Sequence, residues 1–279
     1  MSRSLDETPL SLIYTIPLCE TDAQLVGVFN VGIVVVIFAI IGWHGLVGSA
    51  PYGKSAWEVT KPLSLIWCYP INARFTWMFG HLPTIVIPWV VILYSPAKYM
   101  YNFANLSVFI LFYVHCFYRT VLYPIQISRN ATPTPVWFLC SIFGMTVIHI
   151  FVETHHMVNI LQLESFSMTA VIGIPIGLLG GWINWRHDFA LTQLRNEGKG
   201  YQIPRGGLFE IVSCPNYLGE LLKWWGTALM TSFGSVQVMF AIYCTIFLGL
   251  RANFTHNWYK STFGHSYPST RRAMIPGLF

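Results

Sequence analysis

The chain has 279 residues, 54% of them hydrophobic and only 10% charged, with a net charge of +5. That is too little polar residue to cover a soluble surface, so a lipid-exposed exterior is the better reading. The lysines and arginines form no run, which argues against a nucleic-acid partner and turns their distribution into a question of membrane topology. The fold class expected is therefore all-α: a polytopic bundle of about seven transmembrane helices.

Residues 1–23 read as an N-terminal extension. One arginine and several acids precede the first long apolar run, unlike the basic start of a secretory signal peptide. Leu10–Leu18 is apolar but too short to cross a bilayer. Residues 24–279 read as a single domain without internal repeats. Spans are expected at about 24–48, 77–95, 106–123, 135–153, 167–185, 216–233 and 236–251. Each is near the length needed for about 30 Å of hydrocarbon at about 1.5 Å per residue, the shortest with help from its flanks. The loop at 49–76, with Tyr52, Lys54, Trp57, Pro62 and Pro70, should cover one mouth of the bundle. A Ser-Phe-Gly-Ser turn at 232–235 should make the last two spans a tight antiparallel hairpin.

The basic residues fall on one side. Lys54, Lys61 and Arg74 follow the first span, and Arg119 and Arg129 lie at the end of the third and just beyond it. Arg186, Arg195, Lys199 and Arg205 follow the fifth; Arg251, Lys260, Arg271 and Arg272 close the seventh. The other side holds Arg3 and Lys98 with Asp6, Glu7, Glu20, Asp22, Glu153 and Glu164. The positive-inside rule makes the first side cytoplasmic. Six cysteines (Cys19, Cys68, Cys116, Cys140, Cys214, Cys244) show no CxxC pair and read as small buried apolar residues. His115, His149, His155 and His156 lack the repeated HxxxH and HxxHH boxes of a di-iron oxidase, so no metal is expected.

The polar residues concentrate between Gly181 and Gly226. Asn184, Asp188 and Arg195 are spaced to stack on one face of a continuing helix. A turn follows with Tyr201, Pro204, Arg205, Gly206 and Gly207. Ser213 and Pro215 then read as a helix start, with Asn216 and Glu220 one turn apart. Free N–H groups, arginines and a glycine turn suit phosphates. The same residues also fit a capped structural loop, and Asp188 with Arg195 or Glu220 with Lys223 fit plain ion pairs.

This stretch, NxxxDxxLxxLR followed by GYxIPRGGLFExVSxPNYxGExxxWxG, closely resembles the C-terminal signature of the steroid 5-alpha-reductase family. HCFYRTVLYP at His115–Pro124, the closing block Gly249–Pro276 and YGK at Tyr52–Lys54 extend the resemblance from about residue 24 to the C-terminus. It implies a reductase that takes NADPH and delivers hydride to the β-carbon of an enone, in this family a 3-oxo-4-ene steroid or related lipid entering from the bilayer. By the same resemblance Asn184, Asp188, Arg195, Tyr201, Asn216, Glu220, Arg251 and Tyr259 would bind the cofactor, with Lys54 and Arg119 as neighbours. An endoplasmic reticulum membrane, motif loops on the cytoplasmic side and a monomer are expected.

The substrate end departs from the family. Its glutamate, in a W-x-x-x-E-x-P context, is replaced in Trp77-Met-Phe-Gly-His81-Leu-Pro83, and its proton-donating tyrosine is replaced by Cys116. The catalytic candidates are therefore His81, which can act as an acid, Cys116, a weak donor, and Tyr113, three residues earlier on the same face. Two other readings stay open: an inactive paralogue that keeps the cofactor pocket, and an S-adenosylmethionine-dependent enzyme like isoprenylcysteine methyltransferase, suggested by P-N-Y-x-G-E. That family's arginine-histidine pair before the proline is replaced here by Ser213-Cys214, and the closing block from Arg251 favours the reductase.

Overall fold

The computed structural model describes residues 21–47, 69–128, 131–163 and 165–279. The N-terminal extension up to residue 20, Tyr52, Lys54, Cys19 and Cys68 lie outside the described residues. What is described is almost all helix, as backbone in hydrocarbon demands, since each N–H and C=O must be paired within its own segment.

Helix α1 (Asp22–Val47) lays Leu25, Phe29, Ile33 and Ile37, four residues apart, against Val152 and Val236. The expected second span is two pieces, α2 (Ala73–His81) and α3 (Pro83–Tyr94), because Pro83 brings no N–H and restarts the helix at its first turn. Neighbours take up the carbonyls at this break. Thr146 Oγ1 donates to Gly80 O at 2.7 Å and Thr120 Oγ1 to His81 O at 3.0 Å. Helix α4 (Phe103–Phe117) passes into a π-turn, Tyr118–Leu122, and the short α5 (Tyr123–Gln126), where Pro124 removes a backbone donor. A two-residue pairing of β1 (Pro70–Ile71) with β2 (Thr134–Pro135) ties this end together. Helix α6 (Val136–His155) also ends in a π-turn, His156–Ile160.

The last three helices form the frame of the site. Helix α7 (Met168–Asn196) runs eleven residues past the expected end of its span, and α9 (Ser235–Phe263) outlasts its span likewise. Between them α8 (Pro215–Met230) has 16 residues, about 24 Å. Six described helical stretches, not seven, are long and apolar enough to cross a bilayer, and α8 is the one that falls short. It has no need of a lipid-facing length. It carries buried Asn216 and Lys223 and is enclosed by protein along most of its faces. The α8–α9 hairpin is as expected, with Ser232 and Phe233 in the left-handed region (φ 51° and 62°) and Phe233 N–H returning to Ala228 O at 2.7 Å.

Helices α7 and α8 meet through glycine. A Cβ on Gly180 would lie 2.5 Å from Lys223 N, and one on Gly226 2.5 Å from Gly177 N. Only glycine lets the two backbones come this close, the small-residue packing that membrane helices use in place of a hydrophobic driving force. Ser213 does not cap α8. Cys214 holds the cap position without a side-chain bond, and Ser213 is used elsewhere. Among the described cysteines Cys116, Cys214 and Cys244 are buried, whereas Cys140 is exposed on α6, against the expectation that all are buried.

Candidate active site

The α7–α8 seam sets the site. Asn184 Nδ2 donates to Asn216 O at 2.9 Å, and Asn216 Nδ2 donates to Asp188 Oδ1 at 2.9 Å. The four-residue spacing of Asn184 and Asp188 therefore does put both on one face, turned towards the first turn of α8. Asp188 Oδ2 lies 3.6 Å from Arg119 Nη1 on the π-turn. The guanidinium of Arg119 rests over the rings of Trp77, at 5.2 Å, and Tyr123, at 4.5 Å. A half-buried arginine is thus held between an aromatic pair and a carboxylate. The buried hydroxyl of Tyr118, next to Arg119 in sequence, has no hydrogen-bond partner among the described residues.

One turn along α8, Glu220 Oε1 accepts from Lys223 Nζ at 2.6 Å and from Trp224 Nε1 at 3.0 Å. Lys223 Nζ also lies 2.6 Å from His115 Nε2. The Glu220–Lys223 pair exists, then, but it is not a plain helix-surface pair: Lys223 is 6% exposed and bridges α8 to α4. Neither Lys223 nor His115 was a sequence candidate. The signal available was the ionisable lysine inside an apolar helix, which is a functional hypothesis by default.

The remaining cofactor candidates lie around this centre. Arg195 does not pair with Asp188; its Nη2 donates to Thr132 Oγ1 at 3.2 Å and its guanidinium covers the Tyr201 ring at 4.4 Å. Tyr201 meets Trp258, which meets Tyr259, with centroids 5.0 and 5.2 Å apart. Arg251 Nε donates to the Tyr217 hydroxyl. Lys54 is not placed.

The turn at 204–210 is built differently from a phosphate cradle. Gly206 (φ 85°) gives its N–H to Glu210 Oε1 at 2.7 Å, so that donor is already taken. Arg271, 2% exposed, locks the turn from the C-terminal segment, donating to Pro204 O at 2.9 Å and meeting Glu210 Oε2 at 3.2 Å. The Gly206 N–H, with Arg271 and Arg205, holds the Glu210 carboxyl below its ordinary value. Ser213 Oγ joins His256 Nδ1 at 2.5 Å and the Tyr267 hydroxyl at 2.6 Å. These bonds fasten the closing block beneath the start of α8. A cleft of about 420 Å³ outside the turn is lined by Trp182, Arg186, His187, Arg205 and Phe209.

Of the catalytic candidates, His81 stacks on Trp77 at 5.0 Å and joins its Nδ1 to Trp77 O at 3.0 Å. Through Trp77 it adjoins Arg119. Cys116 is buried on α4, in the apolar core with Val108, Phe109 and Phe112. The Tyr113 hydroxyl lies between α3 and α4, accepting from Trp89 Nε1 at 2.7 Å and donating to Ile85 O at 3.3 Å.

A family profile described as 3-oxo-5-alpha-steroid 4-dehydrogenase matches residues 132–279, which hold α7, α8, α9 and the closing block. The chain belongs to that family. It is 34% identical over 252 residues to the steroid 5-alpha-reductase DET2 of Gossypium hirsutum, covering 87% of this chain and 94% of that protein. It is 32% identical over 248 residues to the 3-oxo-5-alpha-steroid 4-dehydrogenase 1 of Mus musculus, covering 86% and 92%. Against the 3-oxo-5-alpha-steroid 4-dehydrogenase 2 of Macaca fascicularis the identity is 31% over 232 residues. As a member of this family the chain is an oxidoreductase acting on CH–CH groups. Its reaction class implies a nicotinamide cofactor. Among the described residues, no group of three His, Cys, Asp or Glu side chains is placed to hold a metal.

Proposed function

We propose that the protein is a membrane-embedded, NADPH-dependent reductase of the conjugated C=C bond of a 3-oxo-4-ene steroid or a closely related enone lipid. The observation that carries this is the array of buried Asn184, Asn216 and Asp188 with half-buried Arg119, beside Glu220, in a chain whose relatives are named for that reaction.

The residues present fit a phosphorylated dinucleotide. Arg119, Arg195 and Arg251 offer planar donor forks of the kind that suit phosphates. Asn184, Asn216, Asp188 and Glu220 offer amides and carboxylates for ribose hydroxyls and a carboxamide. The unpartnered Tyr118 hydroxyl fits a site that a ligand completes. NADPH, when bound, supplies the hydride. The protein's own part is to hold the two reactants in register, to exclude water and to give the substrate carbonyl a hydrogen-bond donor. The glycine seam makes the first of these rigid, because Asn184 and Asn216 cannot move apart without separating α7 from α8.

The basic ends of the helices face the cytoplasm, where soluble NADPH is available, and the substrate enters from the bilayer. The endoplasmic reticulum membrane and a monomer complete this reading. Its test is direct: protein in lipid nanodiscs is mixed with NADPH and a 3-oxo-4-ene steroid, and the ultraviolet absorbance of the enone is followed. Enone loss that requires NADPH supports the proposal. NADPH binding with no loss of any enone points instead to a paralogue that binds without turnover.

A further inference from the structure

Addition of hydride to the β-carbon of an enone drives an electron pair onto the carbonyl oxygen, so a donor must stand there. The three side chains read from sequence as that donor are weak or already bonded. Cys116 is buried and its thiol is a weak donor. The Tyr113 hydroxyl is spent on Ile85 O, with Trp89 Nε1 on its lone pair. His81 has one nitrogen on Trp77 O and its ring pressed on Trp77.

Lys223 is different. An ammonium has three N–H donors. Glu220 Oε1 at 2.6 Å takes one, and the His115 ring, with Nε2 at 2.6 Å and Nδ1 at 3.3 Å, takes a second, since a neutral imidazole has a single acceptor nitrogen; a third remains. The Nζ lies over the ring of Trp224 at 4.3 Å, which keeps a positive charge in place without consuming a donor. The backbone beneath it is fixed by the glycine seam, with Lys223 N 2.5 Å from where a Cβ on Gly180 would lie. It sits one turn from Glu220 and two from Asn216 on α8, whose amide and carboxylate the reading above gives to the cofactor. A lysine buried inside a membrane protein is costly and is kept for a use.

We propose that Lys223 is the catalytic residue that polarises the substrate carbonyl and protonates its oxygen, with His115 as the group that exchanges protons with it. The inference rests on the reductase reading above. As hydride from the reduced nicotinamide reaches the β-carbon, the C=C pair moves to the oxygen. The Lys223 N–H bond breaks and an O–H bond forms, leaving a neutral amine. The enol then takes a proton from water at the α-carbon and returns its oxygen proton to the amine, by way of His115. One hydride and one proton are consumed in all, and the lysine is unchanged.

The test has two readouts in nanodiscs. The first needs no cofactor: the infrared carbonyl stretch of a bound, carbonyl-labelled 3-oxo-4-ene steroid. It is expected below its position in apolar solvent with the wild type, and back at the apolar position in Lys223→Ala. The second is turnover with NADPH. Lys223→Ala should lose on the order of 10²- to 10⁴-fold in kcat, and added primary amines should restore part of it in the order of their pKa values. Lys223→Arg, which keeps a charge against Glu220, serves to show that the bundle still folds. If the wild type reduces enones but Lys223→Ala keeps both the shifted stretch and the wild-type kcat, the role given to Lys223 is wrong and the reductase reading stands. If the stretch is shifted only when Lys223 is present, the inference holds even for a steroid that the protein binds without reducing. A wild type that binds no enone overturns both.

Discussion

The glycine seam permits a sharp prediction. In Gly180→Ala the new Cβ would lie 2.5 Å from Lys223 N and 2.6 Å from Gly219 O, both backbone atoms that no rotamer change can move. Comfortable carbon contacts lie at about 3.5–4.0 Å, so α7 and α8 must part by about 1 Å. That is enough to break the Asn184–Asn216 bond, now 2.9 Å. Overpacking of this kind costs about 1–3 kcal/mol. Gly181, one residue on, is the control, since a Cβ there would meet nothing within 4 Å. The assay is the apparent Tm of both variants in nanodiscs, with NADPH affinity by fluorescence. Gly180→Ala should melt several degrees lower and bind NADPH more weakly, while Gly181→Ala should match the wild type or exceed it. If the two variants melt together, the close approach of these helices does not set the site.

Other perturbations follow from single contacts. Arg119→Ala leaves Asp188 buried without its cation, which costs about 3–5 kcal/mol; adding Asp188→Asn should recover part of the lost Tm. Arg271→Ala removes the bonds to Pro204 O and Glu210 and should free the 204–210 turn, seen as faster trypsin cleavage near Arg205. Glu210, with its folded pKa below the ordinary value of 4.5, stabilises this turn above that value and ceases to as pH falls through the lower folded one. Amides around Gly206 should therefore lose hydrogen-exchange protection in acid relative to Glu210→Gln at the same pH, and identical acid profiles would refute the role. Ser213→Ala should loosen the closing block by about 1–3 kcal/mol through the orphaned His256 and Tyr267 groups.

Much of this was legible in the sequence because hydrocarbon leaves so few choices. Apolar runs located the helices, and the hairpin at Ser232–Gly234 followed from its length and its glycine. The spacing of Asn184 and Asp188 placed them on one face, as found. Periodicity failed where proline acts. It did not show the split at Pro83 or the π-turn that aims Arg119 at Asp188, since both depend on which neighbouring group takes up a displaced backbone bond. It did not set α8 apart either: a helix enclosed by other helices reads as apolar as one that faces lipid. Ser213 read as a cap because its type and its place before Pro215 fit one, while its real partners lie 43 and 54 residues on. Lys223 read as half of a plain ion pair with Glu220 for the same reason. Spacing within a helix reports the neighbour at Glu220 but not His115 across the bundle.

The measurement that bears most directly on the account is isotope transfer. Protein in nanodiscs is given NADPH deuterated at C4 and a 3-oxo-4-ene steroid, and the product is read by mass spectrometry. One deuterium at the β-carbon, from one face of the nicotinamide, is the predicted result. NADPH that binds while the steroid acquires no label, or acquires it at another carbon, would contradict it.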